Sequence, residues 1–222
     1  MKRRSDNIKA NGPEALRLFS EVVASENASY WLFWGTLLGA CREHGFIDLD
    51  DDIDIGMFYT EMTESLVSKM EEKGFKCLYA IVDKELTGGM HFAFDFKNVK
   101  FDIYSFTVDS SEKKYSCFEP VPYNSQNTTT RSRKDIWEEI HYIFPAWSYL
   151  KEVSFEGIKT YIPSNSDELL KLIYGDDYMT PKPGYKGGDV NVDFKKHEDP
   201  QIKYACLMSF EMFKMLKQYV SF

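Results

Sequence analysis

Hydrophobic and polar positions along the chain follow two periods, and the switches between them mark out the elements. Leu16, Phe19, Val22 and Val23 recur at helical spacing, which predicts a helix over 13–25 with Pro13 in its first turn. The aromatic run over 30–34 reads as a buried strand or as the turn into the next helix. That helix starts at Gly35-Thr36, carries Leu37, Leu38 and Cys41 on one side, and is stopped by Gly45. Ile53, Ile55 and Met57 then alternate with Asp52, Asp54 and Gly56, the period of a strand. A helix follows over 60–73, with Thr60 as N-cap and Gly74 as stop. Strands are predicted over 75–82, 90–96 and 99–108, the last two joined by the tight Lys97-Asn98 connection of a hairpin. The stretch 109–134 is rich in Ser, Thr, Asn and Lys and reads as a long loop, a lid or binding segment. Residues 137–153 are apolar and ambiguous, 166–174 a short capped helix, 180–196 Pro/Gly-rich and irregular, and 201–219 a final amphipathic helix.

A length of 222 residues fits one domain, read here as a core over 1–108 and a loop and helical region over 109–222. Aromatics at 16% supply ample core material, so the fold needs no staples. A net charge of −8 argues against general nucleic-acid binding, which wants a basic face. The four cysteines, Cys41, Cys77, Cys117 and Cys206, form no CxxC pair and read as reduced thiols. No secretory signal and no membrane-spanning apolar run is read in the chain, so a cytoplasmic setting is expected. The last helix carries Ile202, Cys206, Phe210, Phe213 and Leu216 on one side, for core packing, a dimer contact or peripheral membrane contact.

The chemistry concentrates in Asp50-Asp51-Asp52-Ile53-Asp54. Strand alternation sends Asp50, Asp52 and Asp54 to one face, where their mutual repulsion calls for a hard divalent cation. Two other readings compete. A solvated acidic loop has no need of alternating isoleucines. An EF-hand loop starting at Asp50 and ending at Glu61 would need glycine where Ile55 stands. Upstream, Gly35 and Thr36 open a helix whose start suits a nucleotide phosphate, with Arg42 and His44 further along as anion partners or plain surface residues. Asp102 lies within an apolar strand and needs a partner there; Asp95, in the neighbouring strand, competes for the same role.

The stretch Gly35-Thr-Leu-Leu-Gly-Ala-Cys-Arg-Glu-His-Gly-Phe-Ile-Asp-Leu-Asp-Asp-Asp-Ile-Asp-Ile55 closely resembles the signature of the LicD/fukutin family. A later stretch, Tyr174-Gly-Asp-Asp-Tyr-Met-Thr-Pro181, resembles that family's C-terminal motif, in the expected order. The resemblance implies an α+β, nucleotidyltransferase-like mixed sheet flanked by helices, with a helical or irregular C-terminal part on the acceptor side. It implies a Mg²⁺-dependent transferase, with Mn²⁺ as a substitute ion. Such an enzyme moves a phospho-alcohol from a CDP-alcohol onto a hydroxyl of a glycan or lipid-linked glycan. Bacterial members move phosphocholine onto glycans or teichoic acids; fukutin-like members move ribitol phosphate.

By resemblance Asp52, Asp54 and Asp102 carry the catalysis and hold metal with Asp50 close by, and Gly35 and Thr36 line the phosphates. Phosphocholine is the expected payload, and Trp147, Tyr174, Tyr178 and Tyr185 are candidates to face its quaternary ammonium. Arg131, Arg133 and Lys134 are candidates to close over phosphates. A bacterial, cytoplasmic enzyme is the expected setting. The rival readings are an enzyme of the same fold that transfers the nucleoside monophosphate itself, and a non-enzymatic calcium-binding module.

Overall fold

The computed structural model describes residues 4–48, 50–82, 90–122, 137–181 and 193–196. Its centre is a mixed sheet of eight strands. The path runs β1 (Trp31–Leu32), β2 (Asp52–Phe58), β5 (Val99–Asp109), β6 (Lys114–Pro122), β7 (Trp137–Pro145) and β10 (Asp193–Lys196). The pair β3 (Lys76–Val82) and β4 (Met90–Phe96) joins through β4, which also pairs with β5. Among the described residues only β2 and β5 run parallel; the other pairings are antiparallel. A separate hairpin is formed by β8 (Leu150–Phe155) and β9 (Ile158–Pro163). The described helices are α1 (Arg4–Ser25), α2 (Trp34–Arg42), α3 (Glu64–Glu72) and α4 (Ser166–Tyr174). This is the expected α+β architecture.

Strand alternation divides the sheet's residues between two cores. Ile53, Ile55 and Met57 of β2, with Phe101 and Ile103 of β5, are fully buried against Leu16, Phe19, Val22 and Val23 of α1 and Leu66, Val67 and Met70 of α3. The Phe19 and Phe101 rings meet at 4.9 Å. Tyr104 and Phe106 point the other way. They join Trp31, Phe33, Phe144, Trp147 and the α4 residues Leu169 and Ile173 in a second aromatic core. The carboxylates lie on this second side, beside that core.

Several local expectations are corrected. Helix α1 starts at Arg4, and Pro13 lies inside it rather than at its opening. Helix α3 starts at Glu64, where the Thr63 hydroxyl accepts the Leu66 N–H; Thr60 falls in a short 3-10 turn instead. His44 (φ 58°), not Gly45, turns the chain after α2. The expected loop over 109–134 contains a strand: β6 pairs with both β5 and β7, and the Thr107 and Ser116 hydroxyls bond at 2.7 Å. The Lys97-Asn98 hairpin stands, with both residues at positive φ (50° and 67°), the backbone of a type I′ turn. The predicted helix over 201–219, the Arg131/Arg133/Lys134 group and Tyr185 lie outside the described residues.

Gly56 is the position where side-chain absence matters most. It pairs with Trp31, and a Cβ there would sit 2.1 Å from the Trp31 indole nitrogen. Trp31 is fully buried and ringed by Phe58, Phe106 and Trp147 at about 5 Å, so it cannot yield. Gly56→Ala is expected to cost about 3 kcal/mol, the upper end of overpacking penalties. That lowers the melting temperature by roughly 6–12 °C. A thermal melt matching the wild type would show that the β1–β2 contact is looser than described.

Candidate active site

The parallel register between β2 and β5 sets the site. Asp54 lies opposite Asp102, and Asp52 opposite Lys100, so all four side chains share one face. One carboxylate oxygen from each of Asp52, Asp54 and Asp102 lies within 4.8 Å of the others. Asp54 and Asp102 are 6% and 1% exposed, which excludes a solvated loop. The EF-hand reading fails too: Asp52 and Asp54 stand on a paired strand, and Glu61 accepts the Ser29 N–H (3.1 Å).

Burial and mutual repulsion act together on these acids. Burial first, then Asp102, raises the Asp52 carboxyl to about 6. Burial, with Asp52, Asp102 and Asp50, holds Asp54 well above the ordinary carboxylate range. Burial, followed by Asp52 and Asp51, raises Asp50 to about 7. Lys100 supplies the counter-charge: its ammonium pairs with Asp102 Oδ2 and lies 3.6 Å from Asp52 Oδ2. Burial pulls that ammonium's pKa down, but Asp102 and Asp52 outweigh it and hold it above the usual lysine value. Three hard oxygen donors in a partly desolvated cluster, offset by a single lysine, suit a divalent cation of the Mg²⁺ class.

Carboxyls raised in the folded state hold protons that the unfolded chain releases. Their contribution to stability is therefore lost as pH climbs from the ordinary carboxylate value of about 4 toward 7. In chelator, the melting temperature is expected to fall between pH 5 and pH 7.5, and Mg²⁺ or Mn²⁺ to recover most of the loss. A flat profile in chelator would mean the acids do not repel one another as described.

The other sequence-predicted residues fall in varied places. Asp50 stands outside the triad, against α2: a Cβ on Gly35 would lie 3.3 Å from both Asp50 carboxylate oxygens. Gly35 therefore admits this acid to the start of a helix that no side chain caps. Thr36 is fully buried, and its hydroxyl accepts the Asp54 N–H at 2.9 Å, while the Phe33 N–H donates to the Asp54 carbonyl at 3.0 Å. Thr36 thus fixes the strand that carries the acids, a role its place in the sequence did not reveal. Arg42 pairs with Glu43 and donates to the Tyr178 carbonyl at 3.5 Å, tying α2 to the segment after α4. His44 is exposed, and its carbonyl accepts the Glu156 N–H of the β8–β9 turn.

Tyr178 is buried, its hydroxyl donates to Asp167 at 2.9 Å, and burial with that contact raises it to about 12. Tyr174 packs partly buried against both cores, and Trp147 is enclosed by Trp31, Phe106 and Tyr115. Asp95 shares the carboxylates' face, but it pairs with Lys100 and its carboxylate accepts the Asn98 N–H of the hairpin turn. Sequence reasoning missed Lys100 and His91, which touch Asp102 from two sides. A charge two positions before Asp102, in strand period, was the available signal for Lys100.

A carboxylate triad shared by two adjacent strands, beside a helix whose first turn carries Gly35 and Thr36, defines a nucleotidyltransferase-type domain. The family model described as LicD/FKTN/FKRP, nucleotidyltransferase domain, matches residues 27–165, and the chain belongs to that family. Ribitol-5-phosphate transferase FKTN of Mus musculus is 24% identical over 175 residues, 78% of this chain and 34% of that protein. Ribitol 5-phosphate transferase FKRP of Homo sapiens is 26% identical over 168 residues, 73% of this chain and 30% of that protein. An uncharacterized protein of Rickettsia prowazekii is 33% identical over 79 residues, 32% of this chain and 30% of that protein. The chain spans about a third of the length of these relatives. No helix among the described residues is long and apolar enough to cross a membrane.

Proposed function

We propose that this protein is a divalent-metal-dependent transferase that moves a phospho-alcohol from a CDP-alcohol to a glycan hydroxyl. The observation that carries this reading is the convergence of Asp52, Asp54 and Asp102 on one point. A Mg²⁺-class ion held there would neutralise the diphosphate and the leaving nucleoside monophosphate. Positioning and charge stabilisation, not covalent chemistry, then supply most of the rate.

Asp50 is the residue best placed to take the acceptor hydroxyl's proton. It stands beside the triad, Oδ2 is buried without a hydrogen-bond partner, and burial, with Asp52 and Asp51 beside it, raises its carboxyl above the ordinary range and so makes it a stronger base. The O–H bond of the acceptor breaks toward Asp50 as its oxygen attacks the phosphorus bearing the alcohol, and the nucleoside monophosphate departs. Lys100, paired with Asp102 and 3.6 Å from Asp52, would supply a positive charge beside the diphosphate. A cytoplasmic setting suits the free thiols of Cys41, Cys77 and Cys117.

Ribitol phosphate is favoured over phosphocholine as the payload. Two of the relatives are named ribitol-5-phosphate transferases, and the Trp147 and Tyr178 side chains expected to face a choline are spent in packing. The test is a thermal-shift comparison of CDP-ribitol, CDP-glycerol, CDP-choline and ATP, each with Mg²⁺. A ligand at 100 times its dissociation constant adds about 2.7 kcal/mol. A shift with CDP-ribitol is expected. A shift with ATP alone would favour nucleotidyl transfer instead.

A further inference from the structure

His91 lies on β4, 3% exposed, in the register position opposite Tyr104 and two pairs from Asp102, on the same face. Its ring tilts over Tyr104 at 4.7 Å and meets Tyr79 edge-on at 5.9 Å. Neither ring nitrogen has a hydrogen-bond partner, and neither does Asp102 Oδ1. Buried polar groups are rarely left so, because each forfeits its hydration for nothing. Two of these three orphaned atoms face each other: His91 Nε2 stands 3.7 Å from Asp102 Oδ1. A small approach closes that gap to a hydrogen bond.

Asp102 thereby has its oxygens divided. Oδ2 turns to Lys100; Oδ1 turns to the imidazole. We propose that His91 is a positioning residue for Asp102, its Nε2–H donating to Oδ1 and so aiming Oδ2 at the point shared with Asp52 and Asp54. The inference rests on the metal-site reading above. Carboxylates that bind metals are oriented by outer donors of this kind. An imidazole N–H is a donor of this kind, and the Tyr104 ring, tilted against it at 4.7 Å, fixes its plane.

The test is a calorimetric Mn²⁺ titration without nucleotide, on wild type, His91→Phe, His91→Gln and Asp54→Asn. His91→Phe keeps a ring and removes the donor; His91→Gln restores an N–H. His91→Phe is expected to bind Mn²⁺ about 10–100-fold more weakly, and His91→Gln to regain most of the loss. Wild-type affinity in His91→Phe overturns the proposal, as does an equal loss in both His91 variants. Should Asp54→Asn keep wild-type affinity, the metal site itself is misplaced and the inference falls with it. Loss in Asp54→Asn alone removes only the role of His91.

Nitrogen-15 NMR of histidine in the wild-type protein, with Mg²⁺, tests the same claim if His91→Phe does not fold. The Nε2–H tautomer, with a downfield proton, is expected for His91. The Nδ1–H tautomer contradicts the proposal.

Discussion

Asp102→Asn is expected to cut turnover by at least about 100-fold, the scale of losing one preorganised electrostatic element, with an unchanged circular dichroism spectrum. Asparagine fills the same space, so packing survives. What goes is a negative charge in a position that is 1% exposed and in register with Asp54. Lys100 loses its nearest partner at the same stroke, and the triad loses one of its three donors. Asp95→Asn is the matched control. It removes an equal charge from the same face, but from a carboxylate engaged with the hairpin turn. Its effect on turnover should stay within a few-fold. An essential Asp95 beside a dispensable Asp102 would contradict the β2–β5 register as the frame of the site.

Asp54→Asn should show effects of opposite sign on function and stability. Turnover and Mn²⁺ binding should be lost, because Asp54 is one of the triad's three donors. Stability without metal should rise. Asp54 is 6% exposed and repelled by Asp52, Asp102 and Asp50, so its charge works against the fold whenever no cation is present. A gain of about 1–2 kcal/mol would lift the melting temperature in chelator at pH 7.5 by roughly 2–8 °C. Loss of activity with gain of stability is the mark of a residue kept for chemistry. A variant that melts lower and stays active would place Asp54 among structural residues instead.

Much of this was legible in the sequence because two signals coincide at β2. The alternation of Asp52, Asp54 and Gly56 with Ile53, Ile55 and Met57 gave strand and face together, since one register slip would put the acids in the α1 core. The pairing partner was harder. Asp102 and Asp95 both sit in apolar strands, and only the tertiary register distinguishes them.

The roles of Thr36 and Asp50 depend on where α2 crosses β2, which no local pattern encodes. The β6 strand was hidden for another reason. Lys114, Ser116 and their neighbours read as a polar loop, yet backbone hydrogen bonds on both sides hold them extended. Thr63 outcompeted Thr60 as the helix cap because the 3-10 turn over Tyr59–Glu61 delays the helix start.

The most direct measurement of the central claim is phosphorus-31 NMR of CDP-ribitol incubated with the protein and a glycan acceptor, with Mg²⁺ and then with chelator. The account predicts that CMP accumulates as the nucleotide product, that a phosphodiester linking ribitol to the acceptor grows with it, and that chelator stops both. Ribitol phosphate released free while CMP becomes attached to the acceptor, or a rate that chelator leaves unchanged, would contradict it.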